Sequence, residues 1–270
     1  MNPLDFIFPK NLYCASCGRP LPLGENEFAS LCTDCVEQIV WITGRRCQKC
    51  GRPLADENPD ERCHDCLAVA EHSFRRAFGC VLYTGLAAEL VRGMKYRGKA
   101  WYADTLAAFM AERYFCEADP ETGELPAYDF ILGLPMSKRK KTIRGYDQAA
   151  LIAAGLARRI GIPYLKGALI RVRETDVMSS LSADERRQNL AGAFSVRRDM
   201  IHCIAGKKLL LADDVYTTGS SADACAETLM SAGAKNVDAI VFATGADVRR
   251  TEDCPAVAES PGQLRAKGPT

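Results

Sequence analysis

The sequence has 270 residues, of which 47% are hydrophobic and 26% are charged, and its formal net charge is +1. This length allows one sizeable α/β domain and a small second one, and the near-zero charge gives no global reason to expect nucleic-acid binding. No apolar run reaches the roughly 18 residues that a membrane helix needs, and the N-terminus lacks the regions of a signal peptide. We therefore expect a cytoplasmic protein without a membrane span.

Charge is distributed unevenly along the chain. Residues 1–70 contain 7 Lys and Arg against 10 Asp and Glu, whereas residues 138–198 contain 14 against 5. The second stretch is a basic region that an anionic ligand can use. The acidic balance of the first stretch makes contact with a nucleic-acid backbone less favourable there than in the basic stretch.

Eight of the thirteen cysteines form four Cys-x-x-Cys pairs near the N-terminus. The segment from Cys14 to Leu21 recurs 33 residues later from Cys47 to Leu54, and each copy is followed by a second pair. One pair offers two thiolates on a tight turn, and two pairs complete a tetrahedral zinc site that is closed to water. The spacing predicts two structural Zn²⁺ ions, held by Cys14, Cys17, Cys32 and Cys35 and by Cys47, Cys50, Cys63 and Cys66.

Disulfides, a redox dithiol and an iron–sulfur cluster are the alternatives for these cysteines. Disulfides are disfavoured in a reducing compartment, and a redox dithiol is normally a single pair within a βαβ unit. We pair neighbouring motifs because this closes the shortest loops, although the sequence leaves an interleaved arrangement open. Residues 1–70 are thus predicted to form a double zinc-ribbon domain, since they have little apolar material for a core of their own.

Residues 71–250 alternate between strand and helix patterns, which predicts a mainly parallel sheet covered by helices on both faces. In chain order, the predicted elements are strand Phe78–Tyr83, helices Leu86–Tyr96 and Ala103–Phe115, strand Phe130–Leu134, helix Asp147–Ile160, strand Leu209–Ala212, helix Ala222–Ser231 and strand Val237–Ala243. Residues 251–270 are rich in Pro, Gly, Ala and Glu, and we expect a disordered tail there.

The run that follows Lys207 predicts a phosphate-binding loop. An apolar strand delivers two carboxylates at its carboxyl end, where open α/β sheets bind ligands. A hydroxyl-rich loop then enters a helix, so backbone N–H groups and hydroxyls can surround a phosphate. The predicted phosphate-binding residues are Thr217, Thr218, Gly219, Ser220 and Ser221. Carboxylates do not favour phosphate, so we assign Asp213 and Asp214, the candidate catalytic residues, to ribose hydroxyls, directly or through a divalent metal.

Two other interpretations fit part of this run. Its Leu-Leu-Ala-Asp-Asp segment is similar to the acidic pocket of a response-regulator receiver, but that pocket normally lies at the start of a domain and lacks the following loop. The run also fits a helix capped by Ser220 or Ser221 after a strand. A cap does not explain two carboxylates followed by four loop-forming residues, so we prefer a ribose-phosphate site.

These motifs together resemble the ComF family, bacterial proteins with a zinc-ribbon head and a type I phosphoribosyltransferase-like body. The resemblance extends from Cys14 to about Gly245. It is carried by Asp213–Ser221 and by four further elements, Lys95–Gly98, Arg144–Gln148, Arg171–Thr175 and Arg186–Phe194. It implies a parallel α/β sheet, a site for phosphoribosyl pyrophosphate (PRPP) with Mg²⁺, and a part in DNA uptake during natural transformation.

The sequence departs from the family pattern at two positions. Asp147 stands where the family usually has Asn, and Met178 stands where it usually has Gln. If those amides contact a substrate in the family, the ligand contacts of this protein differ. We therefore assign neither position a role.

The segment after the predicted strand at 130–134 is the predicted pyrophosphate loop. Its candidate residues, including the basic ones that follow, are Pro135, Met136, Ser137, Lys138, Arg139 and Arg144. The first hypothesis for function is a transferase in which pyrophosphate leaves C1 of the ribose and the phosphoribosyl group passes to an acceptor that the sequence does not identify. The long, arginine-rich segment 171–194 would serve such an enzyme as a lid.

The basic residues at 138–141 and Arg144 also support a second hypothesis. They can follow the backbone of single-stranded DNA, with Tyr146 nearby for base stacking. The PRPP site would then bind or regulate rather than catalyse, and proteins of the DNA-uptake machinery would be partners. A solvated charged loop is the third interpretation of this cluster.

Overall fold

The computed structural model describes residues 12–21, 28–55, 59–69, 71–174 and 183–246. The predicted tail, Thr175, Met178 and the centre of the proposed lid lie outside the described residues. Among the helices that it does describe, none combines the length and the apolar character required to cross a membrane.

The described part of the chain forms short ribbons followed by alternating strands and helices. The strands are β1 (Ala77–Leu82), β2 (Phe130–Gly133), β3 (Leu169–Arg171), β4 (Phe194–Val196), β5 (Lys208–Tyr216) and β6 (Asn236–Thr244). The helices are α1 (Thr33–Glu37), α2 (His64–Leu67), α3 (Gly85–Tyr96), α4 (Tyr102–Phe115), α5 (Lys138–Arg144), α6 (Gln148–Ile160), α7 (Ala183–Leu190) and α8 (Ser220–Ser231).

Four strands form a parallel sheet in the order β1-β6-β5-β2. The residues of β5 from Leu209 to Ala212 are fully buried, because helices cover the sheet and its central strands need apolar side chains on both faces. β3 and β4 form a separate antiparallel pair. The predicted α/β class with a parallel sheet is therefore confirmed.

Most predicted elements agree with the structure to within two residues, and local chemistry explains their ends. The Asp147 side chain accepts a hydrogen bond from the Ala150 backbone N–H and begins α6, and Gly161 ends it with φ +74°. The strand predicted at 209–212 is longer, because β5 stays paired with β6 as far as Tyr216. Asp213 and Asp214 thus lie within the strand rather than after it. Helix α5 covers residues 138–144, where the sequence predicted neither a helix nor a strand.

Both edges of the parallel sheet are covered by short segments. On β1, the Ile42 N–H donates to the Cys80 carbonyl, and the Leu82 N–H donates to the Val40 carbonyl. On β2, the Leu165 N–H donates to the Ile131 carbonyl. These bonds satisfy backbone groups that an edge strand would otherwise leave unpaired.

The cysteine-rich segment shares its core with the sheet. One buried cluster joins Cys14 and Trp41 to Phe109 and Phe242, and a second joins Cys50 and its neighbours to the other face of the sheet. The Phe109 ring lies 4.8 Å from the Trp41 ring and 5.5 Å from the Phe242 ring, measured between centroids. The ribbons have little apolar material of their own, so their buried residues pack against the sheet and its helices.

Replacing Phe109 with Ala tests this shared core. The side chain is fully buried between the ribbons and the sheet, so its loss should lower the free energy of unfolding by about 3–5 kcal/mol in urea denaturation. Phe115→Ala on the same helix is the matched control, because that side chain is exposed, and it should cost less than about 1 kcal/mol. Equal losses in the two variants would contradict the shared core.

Candidate functional site

Three loops meet at the carboxyl edge of the parallel sheet. β2 and β6 lie on either side of β5, and the Leu134 N–H donates to the Ala212 carbonyl, so the loops after these strands are neighbours. They enclose a cavity of about 740 Å³, which is large enough for a small ligand. Open α/β sheets bind ligands at this edge.

The two carboxylates predicted as catalytic line this cavity, and one of them is paired with a lysine. Lys95 Nζ donates to Asp214 Oδ1 at 2.8 Å. Burial acts to lower the pKa of Lys95, but the carboxylates of Asp214 and Asp213 together outweigh it and raise the pKa. Burial, followed by the negative charge of Asp214, raises the pKa of Asp213 to about 7. A cation placed beside Asp213 would relieve this repulsion.

The predicted phosphate loop borders the same cavity. Thr217, Thr218 and Ser221 line it, and Thr218 Oγ1 lies 2.9 Å from Ser220 Oγ. Gly219 has φ +77°, and a Cβ there would collide with the hydroxyl of Tyr216. Gly219 occupies the N-cap of α8 without a side-chain cap, so Ser220 and Ser221 do not serve as the cap considered above.

The candidates for pyrophosphate binding divide into two groups. Pro135, Met136 and Arg144 line the cavity. Ser137 is buried, and its hydroxyl accepts from the Lys140 N–H at the start of α5. Lys138 and Arg139 are exposed, and neither is among the residues that line the cavity.

Lys140, which the sequence analysis places in the basic cluster at 138–141, also lines the cavity. Partial burial, followed by the charges of Arg171, Arg144 and Lys95, lowers the pKa of Lys140. These cations raise each other's electrostatic energy in the absence of a ligand. An anion bound among them would reduce that repulsion.

Several further residues of the cavity were missed from the sequence. Lys95, Gln148 and Arg171 lie in the motif elements quoted above but had received no role. The Gln148 amide is buried, and within the described part of the chain its Nε2 has no hydrogen-bond partner. Arg52 and Asp65 also line the cavity, and they come from the ribbons, where no motif pointed to them.

The positions discussed at 146 and 147 have structural contacts. Tyr146 donates its hydroxyl to the Met94 carbonyl at 2.5 Å and is partly buried, so it is a poor platform for a base. Asp147 caps α6 and is not among the residues that line the large cavity. Asn caps helices as well as Asp does, so this departure preserves the cap.

The eight paired cysteines lie in two clusters of neighbouring pairs. One contains Cys14, Cys17, Cys32 and Cys35, and the other contains Cys47, Cys50, Cys63 and Cys66. Within each cluster the sulfur atoms lie within 4.8 Å of one another. Four thiolates on a tetrahedral Zn²⁺ lie about 3.8 Å apart, so both clusters fit a structural zinc ion. The structure thus favours sequential over interleaved pairing.

Comparisons with known proteins agree with this architecture. Residues 3–67 match the double zinc ribbon domain. The chain is 30% identical over 224 residues to "DNA utilization protein YhgH" of Salmonella typhi, an alignment that covers 83% of this chain and 93% of the relative. The chain belongs to the ComF family.

Other relatives of this ComF-family chain carry competence names. "Competence protein F" of Haemophilus influenzae is 29% identical over 84% of this chain and 94% of its own length. "Competence protein ComFC" of Streptococcus pneumoniae is 25% identical over 83% of this chain and 96% of its own length.

Solved structures similar to the ComF-family chain include two enzymes whose names refer to phosphoribosyl groups. Glutamine phosphoribosylpyrophosphate amidotransferase of B. subtilis has a TM-score of 0.34 at 20% identity, covering 61% of this chain and 33% of the longer enzyme. Adenine phosphoribosyltransferase of Leishmania tarentolae has a TM-score of 0.31 at 19% identity, covering 53% and 70%. Likeness at this level supports neither a substrate nor an activity.

The raised pKa of Asp213 gives the ComF-family chain a defined dependence of stability on pH. The folded state holds this proton more tightly than the unfolded state, so the stabilisation is present below about pH 4 and is lost as pH rises through about 7. Asp213→Asn should therefore raise the free energy of unfolding at pH 8 by about 1–3 kcal/mol, allowing for solvent in the cavity, and change it little at pH 4.

Asp199→Asn is the matched control for this measurement by chemical denaturation. The hydrogen bond from Arg197 lowers the pKa of the exposed Asp199 carboxyl, so its replacement should not stabilise the protein at pH 8. Stabilisation of both variants, or of neither, would contradict the raised pKa assigned to Asp213.

Proposed function

We propose that the cavity binds PRPP together with Mg²⁺. The supporting observation is the placement of three unlike groups around one cavity: the hydroxyl loop after β5, the carboxylates of β5, and the basic residues after β2. PRPP carries a phosphate, a ribose and a pyrophosphate in one molecule. Thr217, Thr218 and Ser221 would hold the 5′-phosphate, and Asp213 would accept hydrogen bonds from the ribose hydroxyls.

The charges around the cavity suit this ligand. Five cationic side chains and three carboxylates are among its lining residues: Arg52, Lys95, Lys140, Arg144 and Arg171, and Asp65, Asp213 and Asp214. The pyrophosphate would lie against Lys140, Arg144 and the backbone at Pro135 and Met136. Cations at that end would stabilise the charge that develops on departing pyrophosphate, if the bond to C1 is broken.

Asp213 and Asp214 are the residues that would hold Mg²⁺. Carboxylate oxygens are hard ligands, and a divalent cation would offset the burial and the repulsion from Asp214 that raise the pKa of Asp213. The metal would supply neutralisation of the pyrophosphate oxygens. Lys95 already neutralises part of the charge of Asp214, so Lys95 would hold that carboxylate in place.

The cellular role that we propose is in DNA uptake. Two relatives bear competence names and another is a DNA utilization protein, and each alignment spans more than 90% of the relative. PRPP binding would then belong to a protein that handles incoming DNA, as a transferase step or as a regulatory signal.

The PRPP site is tested by calorimetric titration of the full chain with PRPP and Mg²⁺. The double variant Asp213→Asn/Asp214→Asn should bind at least about tenfold more weakly, because it lacks the charged acceptors for ribose and metal. Withholding Mg²⁺ should weaken binding to the natural protein and leave the double variant nearly unaffected.

Asp199→Asn is the control for charge removal, because this exposed residue is not among those that line the cavity. Its affinity for PRPP should equal that of the natural protein. Equal binding by the natural protein and the double variant would refute the site, and absence of any PRPP binding to the natural protein would refute the function.

A second candidate function is binding of single-stranded DNA beside the cavity. Helix α5 buries none of its residues, and two aromatic side chains are highly exposed, Tyr96 at 77% and Trp101 at 61%. Arg144 lies 6.0 Å from the Tyr96 ring. Basic residues beside exposed rings combine backbone contact with base stacking, and these rings replace Tyr146 as the stacking candidates.

The DNA hypothesis is tested with Lys138→Ala/Arg139→Ala/Lys141→Ala, which spares the cavity residue Lys140. The triple variant should bind an oligonucleotide more weakly and lower the slope of log K against log salt by about 2, because each lost phosphate contact contributes about 0.7. Lys235→Ala/Arg198→Ala removes exposed cations from elsewhere and should leave the slope nearly unchanged. An unaltered slope in the triple variant would remove the main support for DNA binding on α5.

A further inference from the structure

The two zinc ribbons contain the same arginine–aspartate pair. The Cys14 N–H donates to the Arg19 carbonyl, and the Cys47 N–H donates to the Arg52 carbonyl, at 2.7 and 2.8 Å. Each arginine then donates to the aspartate of the following cysteine pair at 2.5 Å, Arg19 to Asp34 and Arg52 to Asp65. The repeat in the sequence is thus also a repeat in structure.

The surroundings of the two pairs differ. The first pair is on the surface, where the side chains of Arg19 and Asp34 are 59% and 60% exposed. The Arg52 side chain is only 9% exposed. A surface ion pair contributes little to stability, so the contrast points to a separate role for the buried copy.

The second ribbon reaches the cavity because its backbone packs closely on β1. A Cβ on Gly51 would lie 2.6 Å from the Ala77 carbonyl oxygen, whereas a Cβ on the equivalent Gly18 would meet no atom within 4 Å. The Lys49 carbonyl also accepts from the Ala77 N–H at 2.7 Å. These contacts leave little freedom for the ribbon to move relative to the sheet.

Arg52 joins this ribbon to the phosphate loop. Its Nη2 donates to the carbonyl of Thr217, and its guanidinium lies 5.7 Å from the ring centroid of Tyr216. The Tyr216 hydroxyl in turn lies against Gly219. One guanidinium therefore contacts the ribbon through Asp65 and the loop through Thr217, a bridging geometry for which its planar set of donors is suited.

We infer that the second zinc ribbon is part of the phosphate-binding site, and that Arg52 is a positioning residue that holds the Thr217–Gly219 backbone in its binding conformation. The inference rests on the proposed function and adds to it a positioning residue, Arg52, and the end of the ligand on which that residue acts. Arg52 acts on the 5′-phosphate end of the ligand and not on the pyrophosphate end, since its contacts are with the loop after β5.

The test compares Arg52→Gln with Arg19→Gln, the same change in the exposed copy. Each full-length variant is titrated in the presence of Mg²⁺ with two probes, ribose 5-phosphate and inorganic pyrophosphate. Arg52→Gln should weaken ribose 5-phosphate binding by about tenfold or more, the usual effect of losing a charged hydrogen bond, and leave pyrophosphate binding within about twofold. Arg19→Gln should change neither affinity.

Two further variants separate positioning from general damage. Arg52→Lys retains the charge but lacks the planar set of donors of the guanidinium. Its affinity for ribose 5-phosphate should therefore lie between those of Arg52→Gln and the natural protein. Asp65→Asn should weaken the same probe mildly, and its counterpart Asp34→Asn should not. Metal analysis should find two equivalents of zinc in every variant, which shows that the ribbons remain folded.

Each result decides the inference. Ribose 5-phosphate binding by Arg52→Gln at the affinity of the natural protein would overturn it. The inference would also be overturned if Arg52→Gln bound neither probe and contained only one equivalent of zinc, and if Asp65→Asn likewise bound neither probe. Arg52 would then have a purely structural role. Suppose that the natural protein binds PRPP, but that Arg52→Gln matches Arg19→Gln and Asp65→Asn matches Asp34→Asn in affinity for ribose 5-phosphate. Only this inference would then be refuted. If the natural protein bound no PRPP, the proposed function would be refuted as well.

Discussion

The parallel pairing of β5 between β2 and β6 is the constraint on which the candidate site depends. Both edges of β5 are hydrogen-bonded and its first half is buried, so its direction and register are fixed by its neighbours. Since all three strands run the same way, their carboxyl ends lie together. Segments far apart in sequence, at 134–144, 213–221 and 245–246, are thereby brought around one cavity.

The body of the fold could be predicted because its local patterns agree with its tertiary contacts. Asp147 and Gly161 mark the ends of α6, and apolar runs mark β5 and β6. Helix α5 was missed, since it buries no residue and therefore has no apolar period to detect. The end of β5 was missed for another reason. The two carboxylates near its carboxyl end are polar residues typical of a loop, and only the pairing with β6 shows that the strand continues.

The site itself was predictable only where one continuous run carried it. The residues from Asp213 to Ser221 are consecutive, and the structure places most of them on the cavity. Arg52 and Asp65 could not be assigned from sequence, because the identical pair in the first ribbon faces solvent. Their place at the cavity depends on the position of the ribbon against β1, and the repeat that helps to identify zinc sites does not show which copy borders the cavity.

The strand-like segment at 40–42 has a consequence for how the chain is made. It pairs with the outer side of β1, an edge that could otherwise join another chain. A chain is synthesised from its N-terminus, so residues 40–42 precede β1, whereas β6, the other neighbour of β1, begins more than 150 residues after it. The outer edge of the first strand therefore has its partner available as soon as that strand leaves the ribosome, while its inner edge waits for β6.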